Sequence, residues 1–304
     1  MKNIGKWITC WFTLCLTAFM LFPGGSAAQA EQITIKINGQ PVSFPDMGPA
    51  RIDGRVLVPI RPVMEAMGAK VKWNNESRSA EVALNETSVM IMLNSRYIQS
   101  SMQGEAVSLV AQLDVPAMLL EERTMIPLRA SGELLGYTVN WDESTLTAEL
   151  TPNGTEATAF SFPSYPAKGD IKQMKEAELD AFFLTNGVRT KHGASFPLGL
   201  HVELSKVARE KSKDMSDNGY FDHTSPTYGS PFDMMRSFGL KFQSAGENIA
   251  MGYPSTEEVI WGWEQSPGHL INIVSEDFDY VGIGSHEGSS STYWTQQFMH
   301  EFGH

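Results

Sequence analysis

The feature that most constrains this chain is a repeat in its first half. Arg55-Val-Leu-Val-Pro59-Ile-Arg61 recurs as Arg123-Thr-Met-Ile-Pro127-Leu-Arg129. The register continues through Glu65 and Glu133, Gly68 and Gly136, Val71 and Val139, Trp73 and Trp141, and ends on Ala80-Glu81 and Ala148-Glu149. The offset is 68 residues throughout, as from Arg55 to Arg123. A fixed offset of this kind marks a supersecondary unit used twice. Each copy reads as a short strand ending in Pro-x-Arg, a helix of one or two turns, and a glycine where a helix needs a left-handed C-terminal residue. The alternation in Ala69–Trp73 and Tyr137–Trp141 then predicts half-buried strands, with Asn74-Asn75 and Asp142-Glu143 as turns. The expected product is a compact α+β module in two copies.

The N-terminus has a different logic. Lys2 and Lys6 precede an apolar run from Trp7 to Phe22, which breaks at Pro23-Gly24-Gly25 ahead of Ala28-Gln29-Ala30. This is the three-part pattern of a secretory signal peptide over residues 1–30, cleaved before Glu31. The run is short of the ~20 apolar residues of a membrane-spanning helix, so no stable membrane span is expected after cleavage. Both cysteines of the chain, Cys10 and Cys15, leave with it, as do two lysines. The remaining chain has 21 basic against 35 acidic residues, a net charge of −14 where the full chain has −12. Disulfides, cysteine-ligated zinc and a thiol nucleophile are excluded, and an electrostatic grip on nucleic acid is disfavoured.

The repeats are expected to fill residues 31–152. Residues 153–170, rich in Pro, Gly, Ser, Thr and Ala, read as a linker, and residues 171–304 as a second domain. All seven histidines lie in that second domain or at its end: His192, His201, His223, His269, His286, His300 and His304. Leu204, Val207, Ala208 and Met215 recur at helical spacing, predicting a helix that ends at Asn218-Gly219 and delivers His223 just beyond it. Ser255 and Glu258 form an S-x-x-E capping signal for a second helix, with Val259, Ile260 and Trp263 as its buried stripe. Pro267-Gly268 is expected to stop that helix and leave His269 at an abrupt exit.

The first half, about residues 31–152, resembles the copper amine oxidase N-terminal-like domain, also called the stalk domain, of secreted bacterial proteins. Copper itself is not implied, because Glu31 to Lys191 contains no His or Cys. Arg61 and Arg129 are expected to fix the strand-to-helix turn. In the second half, Asn186-x-x-Arg189, Asp214-Met215, Phe221-Asp-His223-x-Ser-Pro226, Ala245-Gly-Glu247-Asn-Ile-Ala250, Ser266-Pro-Gly-His269, Val281-Gly-Ile-Gly284 and Tyr293-Trp-Thr-Gln296 occur in order. Together they resemble the bacterial branch of the CAP superfamily, the SCP-like domains related to cysteine-rich secretory proteins. The resemblance implies a CAP-type α-β-α sandwich with a central cleft, behind a two-copy α+β repeat module.

It also implies a cleft tetrad of two histidines and two acids. His223, Glu247 and His269 match three of the four. The fourth position falls on Ser266, and Glu264 lies about 200° round the same helix from it. Two imidazoles and a carboxylate suit a divalent cation such as zinc, held first by His223 and His269; they suit a metal-free hydrogen-bonded cluster equally well. Ser225 and Ser266 are candidate hydroxyl nucleophiles by proximity, though Ser-Pro dipeptides usually mark turns and helix ends. The tail His300-Glu301-Phe302-Gly303-His304 satisfies H-E-x-x-H literally, but it follows a predicted strand and reads as coincidence. The expectation is a secreted, non-enzymatic binding module of the cell envelope or extracellular space, taking a wall, peptide or lipid ligand; a purely structural role at the cell wall or spore surface is a further reading. The alternative is a metal-assisted hydrolase using the same cleft.

Overall fold

A computed structural model of the chain describes residues 32–154 and 161–302. The expected signal peptide with Cys10 and Cys15, residues 155–160 of the expected linker, and His304 lie outside the described residues. The fold is α+β.

The first repeat contributes β1 (Thr34–Ile37), β2 (Gln40–Pro41), β3 (Ala50–Ile52), β4 (Arg55–Pro59), α1 (Ile60–Ala66), β5 (Lys70–Asn74) and β6 (Ser79–Leu84). Between the copies run β7 (Thr87–Met92), β8 (Tyr97–Met102) and β9 (Ser108–Gln112). The second repeat gives β10 (Met118–Leu120), β11 (Arg123–Pro127), α2 (Leu128–Leu134), β12 (Tyr137–Asp142) and β13 (Thr147–Pro152). Each short helix begins directly after a proline, whose fixed φ ends the strand. Each is followed by a glycine at positive φ, +86° at Gly68 and +80° at Gly136.

The two copies face each other. Strands β4 and β11 pair antiparallel with Val58 opposite Ile126, residues that stand at the same position of the two repeats. A pseudo-twofold axis therefore passes between them. It also relates two ion pairs, Arg55–Asp114 and Arg123–Asp46, each 2.7 Å long and each joining one copy to the other.

The second half contains β14 (Ser164–Lys168), a 3-10 turn (Ile171–Gln173), α3 (Glu176–Lys191), β15 (Gly199–His201), α4 (Val202–Asp217) and α5 (Pro231–Ser237). It continues with β16 (Phe242–Met251), α6 (Thr256–Gln265), α7 (Pro267–Val274), β17 (Tyr280–Glu287) and β18 (Thr292–Glu301). Part of the expected linker is thus a strand. Strand β14 joins the two halves in one ten-stranded sheet of order β16-β18-β17-β15-β14-β9-β8-β7-β6-β5.

Helices cover both faces of the sheet in this half. On one face Phe182 of α3, Trp263 of α6 and Ile273 of α7 share a core with Val281, Ile283, Trp294 and Phe298. On the other face α4 lies so close to β17 that only glycine fits beneath it. A Cβ built on Gly284 would lie 1.9 Å from the Arg209 amide nitrogen, and one on Gly282 would lie 2.4 Å from the Leu204 carbonyl carbon. Asn186 and Arg189 are buried fasteners: Asn186 brackets Leu198 from both sides, and the Arg189 guanidinium donates to the carbonyls of Phe196, Ile273 and Ser275.

Candidate functional site

The site forms at β16, the edge strand of the sheet. Alternation along a strand sends neighbouring side chains to opposite faces. Glu247 therefore points to the α4 face and Asn248 to the face of α3 and α7. Helix α4 ends at Asp217, and Gly219 at φ +65° turns the chain into the loop that carries His223. There His223 Nδ1 meets Glu247 Oε1 at 2.8 Å. The other carboxylate oxygen accepts from Gln297 Nε2 at 3.1 Å, the residue directly opposite on β18. The Glu247 side chain is 2% exposed and that of His223 53%, so a buried anion holds an imidazole that faces solvent.

His269 reaches the same edge from the other face. Asn248 Nδ2 donates to the His269 carbonyl at 3.1 Å and to Gln296 Oε1 at 3.1 Å, and Gln296 in turn donates to Thr185 of α3 at 2.7 Å. Asn272 donates to Asn248 Oδ1 at 2.9 Å. This polar ladder fastens the start of α7 to the edge strand. His269 Nδ1 lies 2.8 Å from Ser266 Oγ, which fixes the ring.

The two imidazoles have opposite electrostatics. The hydrogen bond to Glu247 raises the His223 pKa above its ordinary value, with burial opposing it. Burial lowers that of His269, and the charge on His223 lowers it further. The two shifts therefore run in opposite directions, toward the cation for His223 and toward the neutral ring for His269.

The comparisons with known proteins bear on this geometry. Residues 182–298, which hold the helices, the edge strand and both imidazoles, match the CAP, cysteine-rich secretory protein family. The second half of the chain is a CAP domain. Residues 36–158 match the copper amine oxidase N-terminal domain. The chain is similar to two Bacillus subtilis proteins: uncharacterized protein YkwD, 46% identical over 153 residues, and uncharacterized membrane protein YlbC, 37% identical over 116 residues. The matched segments cover 50% and 38% of this chain but only 56% and 32% of those relatives. Among solved structures, an extracellular protein containing a SCP domain from Bacillus anthracis aligns over 87% of this chain and 79% of its own, at 18% identity and a TM-score of 0.39. A cysteine-rich secretory protein from Staphylococcus aureus aligns over 80% and 92%, at 12% identity and a TM-score of 0.35.

Within the CAP domain, His223, Glu247, His269 and Ser266 come together at the β16 edge, but two expected members do not join them. Glu264 is turned away: it binds Lys191 at 2.7 Å and His192 Nε2 at 2.8 Å. Helical geometry explains this, because Trp263 points into the core with its indole N–H on the Ile249 carbonyl, and the next residue faces the end of α3. Ser225 is 3% exposed; its hydroxyl donates to Asp214 at 2.6 Å and accepts from the amides of Thr227 and Tyr228. It is a turn residue whose hydrogen bonds go to Asp214, Thr227, Tyr228 and Gly229.

His269 also differs from its expected setting. Pro267 does not simply end α6; it occupies the first position of α7, where a missing N–H costs nothing, so His269 lies in the first turn of a new helix. The terminal H-E-x-x-H lies on β18 as far as it is described. His300 pairs with Asp279 at 2.6 Å, and Glu301 binds Lys168 and approaches His201 at 3.4 Å.

Lys211 is a site residue that the sequence reading missed. It is fully buried on α4, and its ammonium donates to the carbonyls of Asp222 and His223, both at 2.8 Å, and lies 3.2 Å from the Tyr220 hydroxyl. Burial lowers its pKa, and the neighbouring Glu247 and Asp214 oppose that. The signal was present: 207, 211 and 215 are successive positions of one helical stripe, and a lysine there between Val207 and Met215 is out of pattern. Asp214 completes the loop's support. Burial works against its charge, but hydrogen bonds from Ser225, Tyr220, Thr227 and Asn218 outweigh it and lower its pKa.

As for a divalent cation, no group of three or more His, Cys, Asp or Glu side chains converges as a metal site among the described residues. Glu247 faces His223 Nδ1 and Gln297 and offers no third donor. Two imidazoles fall short of the three or four ligands that zinc sites use. The residues present do not fit a resident zinc ion.

Proposed function

We propose that the protein is an exported, non-enzymatic binding module of the cell envelope, in which His223 and His269 at the β16 edge contact a wall, peptide or lipid ligand. The observation that carries this reading is how the groups a hydrolase would need are engaged. Both Glu247 oxygens accept hydrogen bonds and the Ser225 hydroxyl is committed to Asp214; of the two candidate hydroxyls only Ser266, 2.8 Å from His269 Nδ1, is in reach of an imidazole, a pairing that the hydrolysis assay tests. What faces outward is one imidazole whose pKa is raised by a carboxylate and one whose pKa is lowered by burial. The loop of His223 also carries Phe221, 45% exposed, and the helix of His269 carries Ile271, 65% exposed. A polar pair with apolar neighbours suits a ligand that has both a hydrogen-bond acceptor and an apolar body. Among the described residues, no helix is long and apolar enough to cross a membrane.

The test uses purified residues 31–304. Binding to isolated cell-wall and lipid fractions is expected to fall in the His223→Ala, His269→Ala double variant while the fold is retained. Hydrolysis of peptide or ester libraries that disappears in His223→Ala would overturn the non-enzymatic reading. Calorimetric titration with Zn²⁺ tests the metal-assisted alternative; binding lost in the double variant would restore it.

A further inference from the structure

The pseudo-twofold axis of the repeat domain generates two equivalent cavities with different linings. The larger, about 740 Å³, is lined by Pro59, Arg61 and Trp73 of the first copy and Arg123 of the second. The smaller, about 380 Å³, is lined by the repeat counterparts Pro127, Arg129 and Trp141, with Arg55 from the first copy. The same surfaces have simply exchanged places across the axis.

The smaller cavity is walled on one side by the chain itself, through Ser161 and Phe162. Ser161 donates its amide and its hydroxyl to Glu133, both at 2.9 Å, and Phe162 packs against the repeat core. Arg51 lies over the Trp141 ring at 5.4 Å and covers it. In the larger cavity the position equivalent to Arg51 is Leu119, so among the described residues no cation covers Trp73 as Arg51 covers Trp141. Both are large apolar side chains left in the open, Trp73 at 39% and Leu119 at 53% exposed. Glu65, the counterpart of Glu133, pairs with Arg61 at 3.0 Å on the surface instead of holding a Ser residue.

We propose that the larger cavity is a peptide-binding site, which takes from a separate partner protein an extended segment carrying a hydroxyl residue followed by an aromatic one. The template is the Ser161-Phe162 segment in the equivalent cavity. The aromatic side chain fills the space between Trp73 and Leu119, and Glu65 accepts from the backbone N–H and hydroxyl of the preceding residue. Arg61, released from Glu65, meets a carbonyl of the same segment. Exchange of one exposed ion pair for these bonds costs little, because such pairs are worth little on a surface. The cavity volume falls within the range of ligand sites. This site is independent of the histidine pair, so each proposal can fail without the other.

The probe is dye-labelled Ser-Phe-Pro-Ser-Tyr-Pro, the sequence of residues 161–166, titrated with residues 31–304 and followed by fluorescence anisotropy. Saturable binding is expected with a Kd on the order of 0.1 mM, modest because a short flexible peptide is ordered on binding. Trp73→Ala removes the aromatic wall against which the Phe of the peptide packs, and it is expected to weaken binding about tenfold or more. Glu65→Gln and replacement of Phe by Ala in the peptide should act in the same direction. Both protein substitutions are at exposed positions, and circular dichroism checks that the fold is kept. Absence of saturable binding, or binding indifferent to Trp73→Ala, overturns the proposal. Self-association of the protein that Trp73→Ala abolishes would place the occupant in a second copy and overturn the assignment to a separate partner.

Discussion

Replacing Lys211 by Met tests whether the His223 loop is held from beneath. Met has similar length and suits a buried helical position, so the change removes the ammonium with little loss of volume. The two short bonds to the carbonyls of Asp222 and His223 disappear. Bonds to a charged donor are worth about 1.5–3 kcal/mol each. Both residues are exposed, so water can partly replace the donor, and the lower limit applies, about 3 kcal/mol for the two. The variant no longer buries a charge, and the lowered pKa of Lys211 shows that this burial is unfavourable. Recovering about 1 kcal/mol from that source leaves a net loss of about 2 kcal/mol. For a chain of this size the melting temperature should fall by roughly 4–8 °C. A second readout separates this from generic destabilisation. The charge on Lys211 holds the His223 pKa down, so in the variant that pKa should rise further, as followed by NMR of the ring protons. A melting temperature within about 1 °C of the parent, together with an unmoved His223 titration, would refute the reasoning.

The His223 titration should lie above 6.5 and that of His269 below it, in the order set by the hydrogen bond to Glu247 and by burial. The linkage has opposite signs: stability from His223 is complete below pH 6.5 and is lost as pH rises through its folded pKa, whereas His269 removes stability as pH falls from 6.5 through its folded pKa. Glu247→Gln should bring the His223 titration down, and an unchanged value would show that the carboxylate does not control the ring. Gly284→Ala places a Cβ 1.9 Å from the Arg209 amide nitrogen and should cost more than about 4 kcal/mol or prevent folding, read by denaturant unfolding. Ser225→Ala removes a buried hydroxyl bonded to Asp214 and should cost about 1–2 kcal/mol in the same assay, leaving the Asp214 pKa closer to its ordinary value.

Much of this was legible because local chemistry and tertiary placement agreed. Gly68 and Gly136 take the positive φ that a helix end requires, Val259, Ile260 and Trp263 are all buried, and Ser255 accepts the Glu258 amide. The histidine site was legible only in part, for reasons of geometry. A one-residue step along a helix separates Trp263 in the core from Glu264 at the end of α3, and spacing along the chain does not show which neighbouring helix receives the second residue. Pro267 has two readings, as a helix stop and as a first helical residue, and both hold here because α7 follows α6 almost without a break. Lys211 was hidden by the habit of reading a lysine as solvent-facing, although its place in the stripe argued otherwise.

The segment 164–168 shows the same conflict between composition and pairing. Prolines at 163 and 166 argue for a linker, since a proline cannot donate to a ladder and is rare in a central strand. Yet β14 lies fifth in a ten-stranded sheet. The register removes the contradiction. On one side β14 pairs with β9 from Ser164 to Ala167, but on the other it meets β15 only at Ala167 and Lys168. Pro166 therefore sits where one flank is still unpaired, and its missing N–H leaves no gap there. Gly199, at the start of β15, makes room for this approach, because a Cβ there would meet the Tyr280 ring at 2.8 Å and the Pro166 carbonyl at 3.4 Å. Lys168 then ties the strand to Glu301 near the end of β18, under the Tyr280 ring. A segment of linker composition thus becomes the ladder that carries hydrogen bonding from the repeat strands into the CAP sheet. Within the ladder the crossing rests on two residue pairs, Ala167 with Leu200 and Lys168 with His201, and it is reinforced outside the ladder, where Glu176 of α3 accepts from the Ser95 hydroxyl and the Arg96 amide and Tyr97 shares a core with Phe182.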